Sequence, residues 1–271
     1  MNGPRTVAIA RHELAQFVRS RDYLLPLLLL SGLFFVAIPA FLLGAISSLT
    51  GNETAEAIGA IVDTLPASAQ DNIQGDTAEA QAAYALAVFL LAPIAIVVPL
   101  TSSTAVGAGA VVGERERGTG EFLAHSPASE REIYVGKLIA SLVPGYVATV
   151  AGFGVYSLVV NTIVGPDVGG WFFPTGGWWV LILWVVPPFL AVALSVIVAL
   201  SASVRSVTAA QQASQLVTLP VILIAYALST GLLFDAVTAG LAVGALAWIA
   251  AGFGLWRGAR TVHRESLLGV D

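Results

Sequence analysis

The basic side chains of this sequence fall into a few short clusters, separated by long apolar runs that contain none. The 12 Lys and Arg residues group as Arg5, Arg11, Arg19 and Arg21, then Arg115, Arg117, Arg131 and Lys137, then Arg205, then Arg257, Arg260 and Arg264. The other connections carry acids or no charge. Polytopic membrane proteins hold their basic loops on the cytoplasmic side, so this alternation predicts an even number of crossings with both termini cytoplasmic. The composition fits: 57% of residues are hydrophobic and 11% charged, about half the charged share of a typical soluble domain. A chain of 271 residues has room for about six spans of ~20 residues plus loops. The first apolar run, from Leu24, is too long for a signal-peptide core and lacks a small-residue cleavage site, so it is expected to remain as a span. With no cysteine, disulfides and thiolate metal sites are excluded.

The expected fold is all-α, a polytopic membrane protein with six transmembrane helices. Residues 1–23 form a cytoplasmic amphipathic interfacial helix: Val7, Ala10, Leu14, Phe17 and Val18 share one face, with Arg11, Glu13, Gln16 and Arg19 around the other. Residues 24–256 form the six-span domain, with spans at 24–46, 83–113, 138–164, 177–201, 207–234 and 237–256. Residues 257–271 form a basic cytoplasmic tail. The connection 47–82 holds Glu53, Glu56, Asp63, Asp71, Asp76 and Glu79 and no base, which makes it an external loop. Ile58, Ile61, Val62 and Leu65 suggest a short helix within it. Its acids lack calcium-loop spacing and read as a solvated surface. Trp171, Phe172, Phe173, Trp178 and Trp179 suggest an aromatic belt at the outer headgroups.

The centres of the spans carry no Asp, Glu, Lys, Arg or His. Ion-coupled carriers usually need such groups to bind and release the coupling ion. Nor is there a nucleotide site: Gly136-Lys137 lacks the upstream glycine of a P-loop, and Gly109 and Gly113 read as a GxxxG helix-packing face. Polar residues within the spans gather in two places. Thr101, Ser102, Ser103 and Thr104 follow Pro99, while Gln211, Ser214, Gln215 and Thr218 recur at i, i+3, i+4 and i+7 on one helical face. In a bilayer such groups need hydrogen-bond partners on another helix or in a wet cavity. Ser103, Thr104, Gln211, Ser214, Gln215 and Thr218 are therefore candidates to line a translocation path, or to tie helices together. Prolines punctuate five of the six spans, each removing a backbone hydrogen bond.

The most specific segment is 113–137, GERERGTGEFLAHSPASEREIYVGK. Alternating charges end a helix, Gly118 breaks it, and Thr119 is placed to cap a short helix bearing Phe122 and Leu123. Ser126-Pro127 forms a second break. Ser129 and Glu132 fit a capping box that opens the next helix. An exposed apolar pair at the tip of a charged loop calls for a partner surface.

The pattern Glu-x-Glu-x-Gly-Thr-x-Glu-x-Leu, then Ser-Pro, Ser-x-x-Glu and Gly-Lys, resembles the signature loop of type-2 ABC transporter permeases, in particular subunits separate from their ATPase. The close match covers about 25 residues, and the six-span layout extends it loosely over the chain. The resemblance implies a non-catalytic permease subunit of an exporter in the cell membrane, forming the substrate path as a homodimer or with a related permease. It also implies an ABC ATPase partner that holds ATP and Mg, with no cofactor or metal on this chain and no nucleic acid. The loop 114–137 would be the coupling element, with Glu114, Glu116, Gly118, Thr119, Glu121 and Phe122 as contact residues. Two positions depart from the family pattern. Gly120 replaces a large aliphatic residue, weakening the short helix by up to ~1 kcal/mol relative to Ala, and His125 replaces Thr or Ser. The competing reading is an ion-gradient-driven secondary transporter or channel that works without an ATPase. A third is a membrane assembly or immunity factor using the fold as a scaffold.

Overall fold

A computed structural model describes residues 3–48, 60, 62–63, 67–234 and 237–260. The described residues are helical, with no strand among them. Six helices are long and apolar enough to cross a membrane: span 1 (Arg21–Ile46), span 2 (Ala78–Ala108), span 3 (Glu130–Ile163), span 4 (Gly176–Ser203), span 5 (Val207–Ile224, within a helix Val207–Phe234) and span 6 (Gly240–Gly258, within Val237–Gly258). The expected span 2 is shifted: its helix begins five residues before 83 and breaks after Ala108 rather than running to 113. Span 3 starts earlier than expected because its capping box sets the first turn at Glu130. Most of the proposed helix around Ile58, Ile61 and Leu65 lies outside the described residues, as do Glu53, Glu56 and Arg264.

Span 2 forms the middle of the bundle. Some 83% of its apolar window is buried, against 17% for spans 1 and 5. It packs on spans 3, 4 and 5, while span 6 packs mainly on span 4. Exposed leucines on spans 1 and 5, such as Leu28, Leu29, Leu216 and Leu223, are what helix faces turned towards lipid or another subunit carry.

Prolines shape three spans in a common way. Spans 1, 2 and 4 contain π-helical turns at Leu33–Ala37, Leu86–Leu90 and Leu181–Val185. A proline follows each one: Pro39, Pro93 and Pro187. In every case the carbonyl four residues before the proline, which its ring would strike, lies inside the wide turn. The π turn moves that carbonyl aside and leaves others without amide donors. In span 2, Tyr156 Oη donates to Ala87 O (2.6 Å) and Trp178 Nε1 donates to Val88 O (2.9 Å).

These bonds also correct the aromatic belt. Trp171 and Trp179 are exposed, but Phe173 and Trp178 are buried and pack with Phe153 and Tyr156. The indole N–H is needed to satisfy an internal carbonyl, so Trp178 turns inwards. Asn161 near the end of span 3 fixes the same loop. Its Oδ1 accepts from the amides of Phe172 and Phe173, and its Nδ2 donates to Phe173 O.

The N-terminal helix, Gly3–Arg19, lies against span 3. Its buried face is Thr6, Ala10 and Phe17, while Val7 and Val18 are exposed, so the inward stripe is narrower than the hydrophobic pattern suggested. Gly136 makes the contact possible, because a Cβ there would lie 2.8 Å from Ile9 Cγ2. The GxxxG reading shifts likewise. Gly107 is the glycine in close contact, with Leu194 and Ile197, whereas Gly109 and Gly113 meet no side chain of a packing helix other than the Tyr23 hydroxyl at 3.8 Å.

Candidate functional site

The C-terminal end of span 2 is broken and then rebuilt. After Ala108 the helix opens and resumes at Val112–Glu116. Ser201 of span 4 closes the gap, donating to Ala108 O (2.6 Å) and accepting from the amides of Val111 (3.1 Å) and Val112 (3.2 Å). Gly118 then adopts a left-handed φ of +69°, a conformation that favours glycine. The loop helix Gly120–Ala124 follows. The predicted capping box is present: Ser129 accepts from the Glu132 amide and the Glu132 carboxylate accepts from the Ser129 amide.

Glu114 lies at the centre of this region with 7% of its surface exposed. Lys137 Nζ is 3.0 Å from Glu114 Oε1 and 2.6 Å from Glu13 Oε1 of the N-terminal helix. Arg117 adds a contact at 3.4 Å, and the Thr119 hydroxyl donates to Glu114 Oε2. Burial pushes the Glu114 carboxyl up, but Lys137, the two hydrogen bonds and Arg117 together outweigh it and hold the group below its ordinary value of 4.5. A depressed folded value contributes stability that is complete above pH 4.5 and is lost as pH falls through the lower folded value. In detergent, wild type and Glu114→Gln should therefore keep a constant gap in unfolding temperature from pH 7 to about 5. The gap should shrink below pH 4.5, and thermal scans across that range check it.

The predicted loop residues separate into two groups. Glu114 and Thr119 are spent inside the molecule, and Thr119 makes no side-chain cap on the loop helix because its hydroxyl is turned to Glu114. Glu116 Oε1 accepts from the Val207 amide at 2.8 Å, satisfying a free donor at the start of span 5. Its neighbour Arg115 donates to Val204 O, so the pair clamps the connection between spans 4 and 5. Glu121 and Phe122 point outwards, and Phe122 is 81% exposed. Leu123, expected beside it on the surface, is half-buried against the cluster holding Ile133 and Tyr134. Replacing Glu116 with Ala removes the acceptor at the head of span 5, at a cost of about 1 kcal/mol. Amide hydrogen exchange at the first turn of span 5 should accelerate about 5-fold, and hydrogen-exchange mass spectrometry reads it directly.

The polar clusters within the spans divide in a similar way. Thr104, Ser214 and Thr218 are buried where spans 2 and 5 meet, with Thr104 Oγ1 and Thr218 Oγ1 3.1 Å apart, while Ser103 is buried on the side of span 2 that faces Gly145 of span 3. The hydroxyls of Ser103 and Ser214 have no hydrogen-bond partner. Gln211 and Gln215 are exposed. Gln211 joins Thr101 and Ser102 of span 2 in lining a cavity of about 340 Å³, together with Asp22, Tyr23 and Pro26 of span 1.

Sequence reasoning missed Glu13 and the connector 204–207, which lie outside the motif, and gave no role to Lys137, which closes it. A signal was available in Lys137, the sole lysine, placed directly after Gly136 at the head of a long apolar helix.

Residues 7–255 match the ABC-2 family transporter protein family. The match takes in nearly the whole chain, with spans 1 to 5, most of span 6 and the loop between spans 2 and 3. The chain belongs to the ABC-2 transporter family, as a multi-pass membrane subunit of a kind that is typically non-catalytic and implies an ATPase partner. No curated protein matches it.

Proposed function

We propose that this chain is the permease subunit of an ATP-driven exporter, working as a dimer in the cell membrane with both termini cytoplasmic. An ABC ATPase on a separate chain engages the loop 114–137, and ATP and Mg bind on that partner. One observation carries the reading: Phe122, a large apolar ring, stands 81% exposed on a helix whose base is held by a buried ion network. Fixed aromatic anchors surrounded by polar groups are what protein docking sites use. Around Phe122 and Leu123 runs a cleft of about 510 Å³, bordered by Ala8, Ile9, His12 and Glu13 of the N-terminal helix.

Glu121 and Phe122 make the contact with the ATPase, and Gly118 sets the angle of the loop helix. Glu114 and Thr119 hold its base, and Glu116 passes its displacement to span 5. The path for substrate runs along the surface bearing Gln211, Gln215 and Thr101, while Thr104, Ser214 and Thr218 hold spans 2 and 5 in register and Ser103 packs towards span 3. Purification of the tagged chain in mild detergent tests the reading. A P-loop ATPase should accompany the intact chain and be lost when 118–125 is replaced by a Gly/Ser linker. A homo-oligomer with gradient-driven transport and no nucleotide-binding partner would establish the competing carrier instead.

A further inference from the structure

We propose that Lys137 is a positioning residue that locks the loop helix to the N-terminal helix and to span 3, so that all three move as one lever. The inference rests on the loop being the ATPase contact. Lys137 is 1% exposed, and a buried ammonium persists only where carboxylates compensate its lost hydration. Its two carboxylates come from separate elements: Glu13 from the N-terminal helix at 2.6 Å and Glu114 from the rebuilt end of span 2 at 3.0 Å. Glu114 also accepts from Thr119, the residue immediately before the loop helix. One ammonium group therefore connects three helical elements to span 3, which carries it.

The neighbouring packing fits this role. Gly136 brings Thr6 and Ile9 of the N-terminal helix onto span 3 one residue before the ammonium. Arg5 Nη1 donates to Pro127 O at 2.8 Å, a second tie between the N-terminal helix and the far side of the loop. Cavities border the cluster. One of about 230 Å³ is lined by Glu13, Arg117 and Lys137, and the 510 Å³ cleft is lined by Glu13, Glu114 and Thr119. The loop helix also rests Leu123 and Ala124 on the apolar cluster of Ile133 and Tyr134, but with open space on the side of the N-terminal helix the ion network fixes its orientation towards that helix. Without the ammonium, Glu13 and Glu114 become like charges facing one another, and the loop and the N-terminal helix separate.

The chain has no cysteine, so two introduced cysteines give unique spin-label sites. Arg11→Cys on the N-terminal helix and His125→Cys at the end of the loop helix are exposed positions outside both the network and the proposed ATPase contact. The labelled chain is diluted into excess unlabelled permease before assembly with its ATPase, so that pulsed electron–electron double resonance reads the distance within one protomer, which should be single and narrow. Lys137→Met should broaden and lengthen it, and Lys137→Arg should restore the narrow distribution. Because Lys137→Met leaves Glu13 and the buried Glu114 facing one another without the ammonium and can fail to fold, the neutral triple variant Glu13→Gln, Glu114→Gln, Lys137→Met serves as the second test. It should remain folded and bind the ATPase, give a broad distance, and lose permease-dependent ATPase stimulation by roughly 5-fold or more. An unchanged distance in the triple variant overturns the assignment of Lys137 while leaving the ATPase contact standing. Failure of the wild-type chain to recover any ATPase overturns the coupling reading itself, and this inference with it.

Discussion

Phe122→Ala is expected to remove the ATPase from the purified complex while leaving the permease inserted and folded. The two effects separate because the side chain is 81% exposed. An exposed residue away from special contacts changes fold stability by no more than about 0.5 kcal/mol when truncated. An aromatic anchor at the centre of an interface is worth ~2 kcal/mol or more, which is roughly 30-fold in affinity. The loop helix is five residues long and opens on Gly120, so it has little intrinsic stability to spare. Phe122→Leu keeps apolar area and should fall between Ala and wild type. Titration of purified ATPase onto the permease in nanodiscs, with unfolding temperatures measured in parallel, decides the matter. Equal affinity for wild type and Phe122→Ala would move the contact elsewhere on the surface of the permease.

Glu116 provides the contrast. Its carboxylate is committed to the Val207 amide, so Glu116→Ala should leave ATPase recovery near wild type while weakening what span 5 receives from the loop. The two residues, six positions apart, therefore separate binding from transmission.

What the sequence made legible follows from the range of each signal. Charge alternation and apolar run length act over whole spans, so the number of crossings and the all-helical fold could be read directly. Cap motifs act over four residues, and the Ser129–Glu132 box appears as expected. Thr119 shows where local reading stops. The residue type fits an N-cap, but a carboxylate five residues back competes for its hydroxyl and takes it. Lys137 and Glu13 lie 124 positions apart, and no local pattern pairs them. The aromatic residues at 171–179 were assigned by composition to a headgroup belt. Which of them turn inward depends on carbonyls freed by Pro93, some 80 residues earlier in the chain. The face bearing Gln211, Ser214, Gln215 and Thr218 was read as a unit, but the packing of span 5 on span 2 buries two of its members and leaves two exposed.

The largest effect on stability is expected at Trp178. Its indole is 1% exposed and packs on Phe153 (5.8 Å between ring centroids), Tyr156 (5.3 Å) and Phe173 (5.0 Å). Between membrane helices, association relies on close packing and hydrogen bonds, since lipid tails are as apolar as the core. Removing a buried Trp side chain costs about 3–5 kcal/mol. The hydrogen bond to Val88 O adds a separable part. Ala92 N donates to Phe89 O instead, and Pro93 has no N–H to offer, so Val88 O has lost both of its usual helical donors. Trp178→Phe keeps most of the ring contact and removes only the indole N–H, at about 0.6–1.7 kcal/mol for a bond of this kind in a membrane protein. Thermal unfolding in detergent should therefore rank wild type above Trp178→Phe, and Trp178→Ala well below both. Coincident midpoints for wild type and Trp178→Phe would mean that Val88 O finds another donor and that the break in span 2 does not depend on the indole.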